Sequence, residues 1–106
     1  MRLNPRYPAE YLQALSLAYR EAGRYEAALA PGKRVLTLNP NFMPAHFNLA
    51  VIYSELGQEE AAQAEVAEVL RLMPNYSLEV ARQALPFKDP ADLERVLTAL
   101  RKAGLK

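Results

Sequence analysis

Residues 9–42 read AEYLQALSLAYREAGRYEAALAPGKRVLTLNPNF, and residues 43–76, which follow without a gap, read MPAHFNLAVIYSELGQEEAAQAEVAEVLRLMPNY. Laid one over the other, 13 of the 34 positions are identical. Chance in so Ala- and Leu-rich a chain gives roughly three. The matches include Leu15/Leu49, Tyr19/Tyr53, Gly23/Gly57, Ala28/Ala62, Val35/Val69, Leu36/Leu70 and Pro40/Pro74. These are residue types that fill a core or interrupt a chain, so the two segments are copies of one structural unit.

Within each unit, apolar residues recur at three- and four-residue spacing: Leu12, Leu15 and Tyr19 in one copy, and Leu49, Ile52, Tyr53 and Leu56 in the other. That period predicts amphipathic helices, the first near residues 8–22 and its twin near 44–56. Glycine at 23 or 57 marks a turn, and a second helix follows near 25–38 or 58–72, stopped by Pro40 or Pro74. The fold class expected is all-α, with antiparallel helix-turn-helix units whose apolar faces need neighbouring helices.

The 34-residue period, with Leu-x-x-Leu-Ser-x-x-Tyr at Leu12 to Tyr19, then Ala28 and Pro40, resembles the tetratricopeptide repeat. The second copy presents His46, Leu49, Ala50, Tyr53, Ala62, Val66 and Pro74 at the same places. The resemblance implies an α-solenoid in which small residues (Ser16, Ala28, Ala50, Ala62) let helices approach closely. It also implies a binding function, because the first helices of such repeats line a concave groove that takes an extended peptide or a helix of a partner. Carried over position by position, the groove residues are Gln13, Leu17, Arg20 and Glu21 from the first copy and Phe47, Asn48, Val51, Ser54 and Glu55 from the second, with Arg82 beyond them. Some members clamp a partner's terminal carboxylate with two lysines, an arginine and two asparagines. Asn48 and Arg82 match that set, but Gln13, Leu17 and Leu78 stand where the remaining members would be, so a hydrophobic peptide or helix is the expected ligand.

The first copy departs from the pattern at Pro31-Gly32, in the middle of its second helix. A proline there removes a hydrogen bond at a cost of about 3 kcal/mol, and glycine adds roughly 1 kcal/mol. A kinked or late-starting helix is expected, with a shallow gap where the second copy has Val66. His46 stands where the family has a large packing residue and is expected to be a partly buried structural side chain.

Outside the two copies the chain divides further. Leu3-Asn4-Pro5-Arg6-Tyr7 resembles the ends of both units, so residues 1–8 read as the remnant of a preceding repeat. Ser77 caps a helix that Pro86 stops, so 77–88 read as a truncated third unit. Residues 89–106 read as a capping helix: Asp89-Pro90 start it, Leu93, Val96, Leu97 and Leu100 form its apolar stripe, Glu94, Arg95 and Arg101 face solvent, and Gly104 ends it. The organisation is therefore a single domain, with repeats at 9–42 and 43–76. The tail also resembles the closing segment of repeat regions in bacterial class III adenylate or guanylate cyclases. That resemblance implies a regulatory or assembly region of a larger bacterial signalling protein.

Composition bounds the chemistry. With no Cys and one His among 106 residues, disulfides, zinc fingers, iron–sulfur sites and thiol catalysis are excluded, and no cofactor or metal is expected. There is no glycine-rich phosphate loop, HExxH or G-x-S-x-G, and the adjacent Glu59 and Glu60 point about 100° apart on a helix. The expectation is not an enzyme. No stretch is apolar enough for a membrane span and the net charge is +1, which gives a cytoplasmic chain with no nucleic-acid and no membrane partner. Charge is nonetheless uneven: residues 1–42 hold six basic and three acidic side chains, and residues 43–76 hold one and five. Two functions follow, a module binding a protein or peptide ligand in the groove and, as the alternative, a self-association module forming a homodimer.

Overall fold

Among the described residues the apolar spacing winds the chain into six helices: α1 (Ala9–Glu21), α2 (Tyr25–Leu38), α3 (Met43–Glu55), α4 (Glu59–Leu72), α5 (Leu78–Ala84) and α6 (Pro90–Lys102). The structure, a computed structural model, describes residues 9–84 and 90–106. The remnant expected at residues 1–8 and the Asp89 cap lie outside the described residues. Among the described residues there is no strand, and no helix is long and apolar enough to cross a membrane.

The turns between paired helices are alike because the same chemistry closes both. Gly23 and Gly57 adopt φ of 79° and 77°, a left-handed backbone that glycine enters without a Cβ penalty. The amide three residues past the end of each helix then reaches back five residues, Arg24 to the Tyr19 carbonyl and Gln58 to the Tyr53 carbonyl, which satisfies carbonyls the helix end leaves free. α1 is thereby folded onto α2, and α3 onto α4. α2 packs against α3 and joins the two pairs.

α2 corrects two parts of the expectation at Pro31-Gly32: the helix does not start late but runs from Tyr25 to Leu38 with Pro31 inside it, and no gap lies at Gly32. A Cβ built on Gly32 would stand 3.0 Å from both Leu49 Cδ2 and Ser16 Oγ. The missing side chain is the reason α1, α2 and α3 approach so closely: Leu49 of α3 fills the place that Val66 fills for itself in the second copy.

α3 is the centre of the molecule. Nine consecutive residues, Ala45 to Tyr53, are buried, as befits a helix that is covered on every side. Its contacts divide around the helix. Leu49 faces α2, His46 meets Glu65 of α4, Asn48 meets α1, and the remaining sector carries Phe47, Val51 and Ser54.

α6 packs against α3 and α5, and it has no comparable packing on α4, the last helix of the second repeat. Its inner side buries Val96, Leu97, Ala99 and Leu100, and Ala103 and Leu105 beyond it are buried too. Glu94, Arg95 and Arg101 are exposed, as the stripe predicts. Ser77 Oγ accepts the Val80 amide at 3.2 Å and caps α5, and the Leu78 amide donates to the Lys106 carbonyl.

Candidate functional site

Two inner-facing helices, α1 and α3, and the incoming α5 leave a groove of about 470 Å³ between them. Six of the ten residues expected in a groove meet there: Gln13, Leu17, Arg20, Glu21, Phe47 and Asn48. The other four do not. Val51 is 2 % exposed, in the sector of α3 that α6 occupies. Ser54 lies in that same sector. Glu55 accepts the Tyr25 hydroxyl at 2.9 Å, and Arg82 donates to Glu94 of α6 at 2.6 Å. At its C-terminal end, α3 packs against α6 of the same chain instead of opening onto the groove.

Residues that sequence reasoning leaves out complete the walls: Met43 and Pro44 at the start of α3, Met73 and Tyr76 between α4 and α5, and Val80 and Ala84 on α5. Pro44 is legible in hindsight, since it sits one turn before Asn48. Tyr76 is not, because its place depends on how α5 leaves the second repeat. Its ring meets Phe47 edge-on, with centroids 5.8 Å apart at 86°, an arrangement that aromatic pairs favour. Burial pushes the Tyr76 hydroxyl above its ordinary pKa.

The groove is mostly apolar, with one charge on its floor. Arg20 is 8 % exposed and anchors a buried polar chain. Its Nη1 donates to Asn48 Oδ1 at 3.0 Å, Asn48 Nδ2 donates to Ser16 Oγ at 2.8 Å, and Ser16 Oγ donates to the Ala28 carbonyl at 2.8 Å. This chain crosses from α3 through α1 to α2 and leaves both ends of the Asn48 carboxamide satisfied. Burial lowers the Arg20 pKa below its ordinary value, against the opposing influence of Glu21, Tyr25 and Glu55. Gln13 Nε2 donates to the Pro44 carbonyl, and its buried Oε1 finds no donor among the described residues.

A match to the tetratricopeptide-repeat family model spans residues 19–82, more than half of the chain. The chain belongs to the tetratricopeptide repeat family. Tetratricopeptide repeats are in general non-catalytic modules for protein–protein interaction. No curated protein matches the chain.

Against the family pattern, His46 takes a place usually given to a large packing residue, and it is buried away from the groove. Its Nε2 donates to the Pro40 carbonyl at 2.8 Å, and its Nδ1 lies 2.7 Å from Glu65 Oε1. The ring therefore ties the α2–α3 connection to α4, work that packing alone does elsewhere in the family. Among the described residues no three or more His, Cys, Asp or Glu side chains converge to hold a metal. Glu59 and Glu60 are exposed at the start of α4.

Proposed function

We propose that this tetratricopeptide repeat module binds a peptide or helix of a partner protein in the groove between α1, α3 and α5. The observation that carries the reading is the groove itself: an apolar trough of about 470 Å³ with a single guanidinium on its floor. Such a surface favours a ligand that buries hydrophobic side chains. Gln13, Leu17, Arg20, Glu21, Phe47 and Asn48 are the expected residues that serve it, while Val51, Ser54, Glu55 and Arg82 stand outside the groove, Arg82 bonded to α6 and Glu55 to α2. A regulatory or assembly role within a larger bacterial signalling protein is part of the same reading and draws on the resemblance of the tail.

A photo-crosslinking amino acid placed at Leu17 tests this in living cells, with Gln63, exposed on α4, as the control position. The expected result is a covalent adduct with a different protein from position 17 and none from position 63. The same adduct from both positions, or none from either, overturns the groove. The alternative, self-association, draws on the basic first repeat and acidic second repeat, which are complementary between two copies. Its signature is an adduct of two identical chains and a mass in sedimentation equilibrium that rises with concentration and falls back with salt.

A further inference from the structure

Arg20 is buried on the groove floor with Leu17, Phe47, Tyr76 and Val80 around the same space. A guanidinium carries five N–H donors in a fixed fork, and among the described residues the hydrogen bond found for this one is that to Asn48. That bond leads into the Asn48–Ser16–Ala28 chain, which fixes the fork's orientation. Among the described residues no carboxylate forms an ion pair with Arg20. Glu21 and Glu55 act on the guanidinium through their charge without reaching ion-pair distance: Glu55 takes the Tyr25 hydroxyl, and Glu21 is exposed. Two turns earlier on α1, the buried Gln13 Oε1 is a polar atom that no described residue satisfies. A buried charge without a directly paired counter-charge is costly, and buried charges are normally paired.

The neighbouring half of the same face shows what this surface accepts. It holds α6, an amphipathic helix that turns Val96, Leu97 and Leu100 inward and sets the Glu94 carboxylate against Arg82. We propose that the vacant half takes a second amphipathic helix, from a partner protein, whose apolar side chains enter between Leu17, Phe47 and Val80 and whose one Asp or Glu side chain pairs with Arg20. The inference rests on the groove reading above and adds to it the chemistry of the ligand.

The probe is a set of stapled helical peptides of about four turns, carrying Leu at three- and four-residue spacing and a single Glu whose position is scanned, each paired with its Glu→Gln twin. Binding is read by fluorescence anisotropy on wild type, on Leu17→Asp and on Arg20→Met, with circular dichroism confirming that both variants fold. The expected result is one preferred Glu position, a loss of at least about tenfold in its Gln twin, no difference between the twins on Arg20→Met, and no binding to Leu17→Asp. Salt dependence of the wild-type chain, which needs no variant, should be steeper for the Glu peptide than for its twin. Twins that bind equally to wild type, yet fail on Leu17→Asp, overturn the carboxylate and leave the groove. Binding that ignores Leu17→Asp, or no binding by any peptide, overturns both.

Discussion

Asn48 of α3 accepts from Arg20 and donates to Ser16, both of α1, with no part of its side chain exposed. In the first repeat the same position is Ala14, so the carboxamide belongs to the joint between repeats and not to the repeat itself. Asn48→Ala removes the acceptor that the buried Arg20 has in Asn48 and costs about 1–3 kcal/mol. Urea unfolding should show the loss as a lower midpoint at unchanged slope; a midpoint equal to wild type would mean that water replaces the carboxamide freely.

Gly32 should resist enlargement. A Cβ there meets Leu49, which is 1 % exposed, and Ser16, which is held by two hydrogen bonds, so neither yields. Gly32→Val, which copies Val66 of the second repeat, should cost about 1–3 kcal/mol through overpacking despite the better helix former. Leu49→Ala opens space opposite, so the double variant should be more stable than the sum of the two losses. Simple additivity in that cycle would disprove the contact.

α6 behaves as core. Leu97, 1 % exposed, should cost about 2–5 kcal/mol when cut to Ala, as a buried leucine does. A removable cap would give a far smaller loss, and amide exchange in α3 would be unaffected. The expected result is faster exchange in α3 as well, because α6 covers it.

Tyr25 supplies a pH signature. Burial first, then the hydrogen bond and charge of Glu55, hold its hydroxyl above the ordinary pKa, with Arg95 pulling the other way. A proton held more tightly in the folded chain stabilises it at every pH below the unfolded value near ~10, and that contribution is lost as pH rises through the higher folded value. Wild type should therefore lose stability above about pH 10 more steeply than Tyr25→Phe. Parallel curves for the two proteins would mean that the Tyr25–Glu55 bond does not persist in solution.

The repeats are legible in sequence because each is written twice: Gly23 and Gly57, Tyr19 and Tyr53, Ala28 and Ala62 interpret one another. Features present once are harder. The stripe of α6 says that Leu97 and Leu100 must be covered, but a helical period carries no address, and only the three-dimensional path shows that α3 does the covering. For the same reason the groove is half legible. Leu17 and Phe47 follow from their place in a repeat, whereas the displacement of Val51 and Glu55 from the ligand's side depends on α6. Pro31-Gly32 misleads because propensity scores a helix alone, while the gain at Gly32 is made between helices. The charge of Arg20 is plain in the sequence; its isolation is not, since that depends on where Glu55 turns.

The seating of Leu97 and Leu100 on α3 also sets a temporal order for the molecule. A growing chain makes α1 to α4 first, and an ordinary helical array gains stability with each unit as it emerges. Here the central helix keeps an uncovered apolar sector until α6 and the residues down to Leu105 have been synthesised. Nascent chains halted before that point should be sensitive to proteases and chaperones, and commitment to the native state waits on the emergence of α6.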